Sequence, residues 1–136
     1  MIRDYKPDVL AITEIGLIKN DELKVLGHKY DYDFFYQHRK EGDNYRGGAG
    51  IFVRSKFAPQ MLNISDEDAK TAWRKHLDVA AVTITIEGSD TNIYSVYQHI
   101  DSEAARGLKK FLKSVPDNSV ILGDLNAIMS GMPKKT

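Results

Sequence analysis

Short apolar runs broken by turn signals dominate the chain. Val9-Leu10-Ala11-Ile12 is an unbroken apolar run set between Lys6-Pro7-Asp8 and Thr13-Glu14. A run of that length behind a turn predicts a strand buried on both faces, in the middle of a covered sheet. Val120-Ile121-Leu122, ahead of Gly123-Asp124-Leu125-Asn126, predicts a second. Between them, Tyr30 to Tyr36 (YDYDFFY) is aromatic-rich and partly alternating, which favours a strand with one packed face. Lys40 to Arg46 (KEGDNYR) reads as a polar turn, and Gly47-Gly48-Ala49-Gly50 leads into a strand at Ile51-Phe52-Val53, its small residues allowing close backbone approach.

Residues 78–86 (DVAAVTITI) and 92–97 (NIYSVY), joined through Glu87-Gly88-Ser89-Asp90, predict a hairpin of two long strands. The helical period appears in two places. Residues 20–26 (NDELKVL) form a short helix with Asn20 as cap and acids in the first turn. Residues 102–114 place Ala104, Leu108, Phe111, Leu112 and Val115 on one face and Arg106, Lys109, Lys110 and Lys113 elsewhere, with Ser102 as cap and Pro116-Asp117-Asn118 as stop. The charged stretch 63–75 reads as a loop with a helical turn, and the tail MSGMPKKT has no period. Six or seven strands and few helices describe one mixed α/β (α+β) domain, centred on the two apolar strands that end in acids. There is no internal repeat, linker or second domain.

Composition narrows this further. With 136 residues, 42% of them hydrophobic, the chain needs no disulfide or structural metal to hold a core. No cysteine is present, which removes thiolate metal sites and thiol nucleophiles and fits an intracellular setting. Nineteen basic residues balance nineteen acidic ones, so the strongly basic signature of a nucleic-acid coat protein or an anionic-membrane binder is missing. No apolar run approaches the roughly 18 residues of a membrane span, and MIRDYKPD lacks a signal-peptide stretch. The expectation is an intracellular protein with no membrane partner.

The candidate chemistry lies at strand ends. Glu14 follows VLAIT, and Asp124 and Asn126 follow VILG. Residues two apart in extended chain point to one side, so Asp124 and Asn126 can reach a common point, and open α/β sheets gather ligands at strand C-termini, where Glu14 could join them. Two carboxylates and an amide oxygen suit a hard cation such as Mg²⁺; the competing reading makes each of them a helix cap or loop residue. A P-loop is excluded because no GxxxxGK[ST] precedes VILGD, a dinucleotide fold because GGAG opens a strand, and a nucleophile elbow because GxSxG is absent. His28, His38, His76 and His99 lie in separate segments and read as surface or packing residues, and the basic residues of 106–113 as a solvated helix face.

Together the segments KPDVLAITEIGL, GGAGIFVR, NIYSVYQHID and VPDNSVILGDLNA resemble, in order and spacing, the endonuclease/exonuclease/phosphatase superfamily over residues 6–127. The wording is most similar to the endonuclease domains of non-LTR retrotransposons, which accompany a reverse transcriptase domain. The resemblance implies a four-layered α/β sandwich with mixed sheets flanked by helices. It also implies Mg²⁺ as cofactor, with Mn²⁺ as a substitute and no small-molecule cofactor, and DNA as partner, with a nuclear setting if the element is active. It carries Glu14 onto the metal-binding Glu, Tyr97 onto the tyrosine at the scissile phosphate, Asp124 onto the acid that binds metal and orients the attacking water, and Asn126 onto the amide at the phosphate oxygen. His99 falls where such relatives commonly carry proline and receives no role.

The departures from the pattern are as specific. Family domains open on a strand carrying an Asn and close on strands with a Ser-Asp-His-type motif; Ser65-Asp66 and Ser89-Asp90 are not followed by His. The resemblance therefore implies that residues 1–136 form a single incomplete domain, a fragment of a DNA-nicking endonuclease that is inactive alone. It also implies exposed sheet edges and apolar faces. The alternatives are a catalytically inactive remnant serving as a binding or scaffold module, and a phosphoesterase of the same superfamily.

Overall fold

A computed structural model describes residues 7–13, 20–41, 44–62, 77–99 and 104–124. Its longest ladder is the hairpin read from residues 78–97. β5 (Leu77–Ile86) and β6 (Ser89–Gln98) pair antiparallel from Leu77↔Gln98 to Ile86↔Ser89. The turn is tighter than expected: Glu87 and Gly88 alone make it, with φ of 49° and 82°, so that Ser89 and Asp90 already belong to the strand. Two positive φ values match the right-handed twist of the flanking strands. Thr83 and Thr85 extend the pairing by donating hydroxyl hydrogen bonds to Asn92 (2.8 Å) and Asp90 (3.0 Å).

Before this hairpin come β1 (Val9–Thr13), α1 (Asn20–Lys29), β2 (Tyr32–Glu41), β3 (Asn44–Arg54), a 3-10 turn (Ser55–Phe57) and β4 (Gln60–Met61). After it come α2 (Ala104–Ser114) and β7 (Ser119–Asp124). One sheet is antiparallel with order β1-β3-β2. The other has order β4-β5-β6-β7 and is antiparallel except for the parallel β6–β7 pair.

Alternation along β5 determines the layering. Ala80, Val82 and Ile84 face the first sheet and pack on Ala49, Ile51 and Val53 of β3, with Ile93 of β6 beside them. Val79 and Ala81 face the other way, with Leu77, Tyr94 and Val96, and receive Leu108 and Phe111 of α2. On the outer face of the first sheet, Leu23 of α1 and Tyr30 just beyond it pack against Tyr32, Phe34 and Phe52. The order is helix, sheet, sheet, helix, as the resemblance implies. Each fully buried Val, Leu, Ile or Phe contributes roughly 1.5–3 kcal/mol, and β5, apolar on both faces, feeds two cores at once.

Several expectations are corrected. Among the described residues β1 and β7 are not central strands buried on both faces: each stands at the edge of its sheet, β1 half-buried and β7 mostly exposed, with Val120 and Leu122 at 44% and 38% exposure. Residues 40, 41 and 44–46 are strand instead of turn, with Glu41 paired to Asn44. Among the described residues β1 pairs with Ala49 to Val53, and beyond Ala49 the β2–β3 pair runs on as a ribbon, where a polar sequence is compatible with strand. Leu112, assigned to the packed face of α2, is 39% exposed, whereas Gly107 takes a buried place. The stretch 63–75, Ser102 and the tail after Asp124 lie outside the described residues.

Candidate active site

β6 and β7 run parallel because α2 carries the chain back across the sheet, and their shared ladder closes on Tyr97↔Asp124. On β5 the partner of Tyr97 is Asp78. Register partners point to one side of a sheet, so Asp78, Tyr97 and Asp124 form a row across three strands on the face turned toward the first sheet. The row passes from interior to surface: Asp78 and Tyr97 are 4% and 7% exposed, and Asp124 is exposed.

Gly123 brings β7 this close to β6. Its φ is +136°, and a Cβ there would lie 1.9 Å from the Val96 carbonyl oxygen. The glycine of VILGD therefore answers to backbone proximity, and the acid after it is set beside Tyr97.

Two hydrogen bonds tie the first sheet to the same end. Ser95, two residues before Tyr97 on the same face, donates its hydroxyl to the Ile12 carbonyl at 3.3 Å, which seats the end of β1 over β6. Asp78 Oδ2 accepts the Gly48 N–H of β3 at 2.9 Å. The pairing of β2 with β3 shifts register between Gln37 and Arg39, opposite Gly47-Gly48, and this bulge takes the Gly48 amide out of the ladder. Asp78 Oδ1 lies 3.0 Å from Nε2 of His99, and the His99 and Tyr97 rings are 6.1 Å apart between centroids.

Of the four site residues expected from sequence, Tyr97 and Asp124 are brought together; Glu14 and Asn126 lie outside the described residues. Among the described residues no three His, Cys, Asp or Glu side chains gather to hold a metal. An exposed carboxylate at a strand end is a hard oxygen donor that suits a hydrated Mg²⁺. Sequence reasoning missed Asp78 and His99 as neighbours of the row. The available signal was faint: an acid opening an apolar strand, and a histidine at the end of the strand paired with it. His28 is exposed, 3.9 Å from Asp33, as a surface residue should be.

Over residues 1–135 the sequence matches the endonuclease/exonuclease/phosphatase family, and the chain belongs to that family. No curated protein sequence matches it. Among solved structures, the human nocturnin catalytic domain with bound sulfate superposes with a TM-score of 0.61 at 15% identity, over 93% of this chain and 54% of that one. An AP endonuclease from Archaeoglobus fulgidus gives 0.56 at 19% identity, over 90% and 48%. D. rerio TDP2 complexed with single strand DNA product gives 0.51 at 16%, over 90% and 48%. The chain thus spans about half the length of these structures, which share its fold. Members of the family are generally dependent on divalent metal.

Proposed function

We propose that the ends of β6 and β7 belong to a Mg²⁺-dependent site that hydrolyses phosphodiester bonds and nicks DNA, as in the endonuclease domains of non-LTR retrotransposons, and that residues 1–136 are part of such a domain. The observation that carries this reading is the juxtaposition of Tyr97 and Asp124 at the open end of a parallel strand pair. The likeness in fold to TDP2, a structure complexed with single strand DNA product, supports a nucleic-acid substrate.

In this reading Asp124 and Glu14 would hold the cation. When bound, it supplies positive charge to the phosphodiester and to the leaving 3′ oxygen. Asp124 also orients the attacking water, Tyr97 directs its phenol at the scissile phosphate, and Asn126 donates its amide to a phosphate oxygen. A general base that accepts the water's proton is worth roughly 10²–10⁴-fold in rate, and none is assigned among residues 1–136. Cation binding is therefore the first property to measure.

Calorimetric titration of Mg²⁺ and Mn²⁺ into the chain should show binding that weakens at least about tenfold, or 1.4 kcal/mol, in Asp124→Ala and in Glu14→Gln. Equal affinity in all three proteins would overturn the assignment. In parallel, incubation with supercoiled plasmid and Mg²⁺ should yield little nicking. Robust nicking abolished by Asp124→Ala would support the enzyme reading and refute the expectation that the chain is inactive alone.

A further inference from the structure

A carboxylate and an imidazole are buried together beside Tyr97, where an apolar pair would fill the space at lower desolvation cost. Asp78 is 4% exposed and His99 is 7% exposed. Both Asp78 oxygens are engaged, one by the Gly48 N–H of the first sheet and the other by His99 Nε2. The hydrogen bond between Asp78 Oδ1 and His99 Nε2 fixes the plane of the imidazole ring.

The placement of the pair is what matters. Asp78 is the register partner of Tyr97 across β5–β6, and His99 follows Tyr97 by two residues on the same face. The tyrosine ring is therefore bounded by Asp78 on the β5 side and by the His99 ring ahead, with Asp124 as its neighbour on the β7 side. We propose that the buried Asp78–His99 pair, anchored to the first sheet through Gly48, is a positioning device for Tyr97, holding its ring in register with Asp124. The hydrophobic contacts on either side of β5 are non-directional and would tolerate small slides of the β6 end. The carboxylate, held from two directions, does not. This assignment concerns where Tyr97 stands and holds whether or not the row cuts DNA.

The test uses the full chain with 3-fluorotyrosine introduced at position 97 and its ¹⁹F resonance recorded. Asp78→Asn and His99→Ala should shift and broaden that resonance. His99→Gln, whose amide N–H can still reach Asp78, should restore most of the wild-type signal. Leu108→Ala, on the opposite face of the sheet, supplies the control for simple destabilisation: it should lower the urea midpoint and leave the resonance in place. An unchanged resonance in folded Asp78→Asn and His99→Ala, or an equal change in Leu108→Ala, would overturn the proposal. Failure of plasmid nicking leaves this readout intact, so the two readings fail separately. If the chain nicks DNA, loosening Tyr97 by about 1 Å should lower kcat roughly 10²-fold with little change in KM.

Discussion

Replacing Gly123 by alanine tests the account of how the row is assembled. The added Cβ would stand 1.9 Å from the Val96 carbonyl oxygen and 2.8 Å from the Val96 carbonyl carbon and nitrogen. All three are backbone atoms and cannot rotate away. Relief requires the two strands to part locally by more than 1 Å, since real Cβ contacts essentially never fall below 3.0 Å. That separation breaks ladder hydrogen bonds on the way to Tyr97↔Asp124. The φ of +136° adds a conformational cost of roughly 1–3 kcal/mol for a residue with a side chain. Overpacking adds about 1–3 kcal/mol more. The sum, on the order of 4 kcal/mol, should lower the urea midpoint by roughly 2 M for a slope near 2 kcal/mol/M. Gly88→Ala separates the two contributions, because Gly88 also has a positive φ, +82°, but nothing within 4 Å of its Cβ position. Urea unfolding followed by circular dichroism should rank wild type, Gly88→Ala and Gly123→Ala in falling order. A Gly123→Ala midpoint equal to that of Gly88→Ala would refute the steric reasoning.

Three other outcomes follow from the packing. Phe111 is 1% exposed and meets the Tyr94 ring edge-on at 5.4 Å, so Phe111→Ala should cost about 3–5 kcal/mol in urea unfolding, whereas exposed Leu112→Ala should cost well under half of that. Burial pushes the Tyr94 phenol above its ordinary value of 10.0, against a smaller opposing interaction with Ser119. The stability tied to the neutral phenol is present in full below about pH 10 and is lost as pH rises through the higher folded value, so unfolding at about pH 11 should show a smaller loss in Tyr94→Phe than in wild type. Leu122→Lys, on an edge strand with its side chain 38% exposed, should change stability by less than about 1 kcal/mol and reduce concentration-dependent self-association in analytical ultracentrifugation.

Strands were legible wherever composition and period agreed, and the four layers followed from the family resemblance alone. DVAAVTITI announced a long strand, and the hairpin to NIYSVY followed from its turn. Which strands form the edges was not legible from the runs themselves: VLAIT and SVILGD carry the same unbroken apolar run that a central strand would, and pairing gives β1 and β7 one neighbour each among the described residues. The charges of Lys40 to Arg46 marked a turn, because nothing local shows that β2 and β3 continue as a ribbon past the end of β1. At the site, GDLN and LAITE singled out Asp124 and Glu14 as candidates by wording; register places Tyr97 beside Asp124, and Glu14 lies outside the described residues. Asp78 and His99 escaped notice because a lone acid and a lone histidine have no period; their meaning comes from a contact between residues 21 positions apart.

Among the described residues β7 has one ladder partner, β6, and is otherwise held by packing, against β1 and through Ile121 on the α2 core. Amide hydrogens in such a strand exchange with solvent through local opening, at a free energy below that of global unfolding. The buried residues of β5, Leu77 to Val82, lie between the two cores and should exchange at free energies nearer that of global unfolding. The Tyr97–Asp124 juxtaposition therefore keeps its own clock: it can dissolve and re-form many times while both cores stay closed. Opening of these six residues at the sheet edge would part Tyr97 from Asp124 before the domain as a whole unfolds.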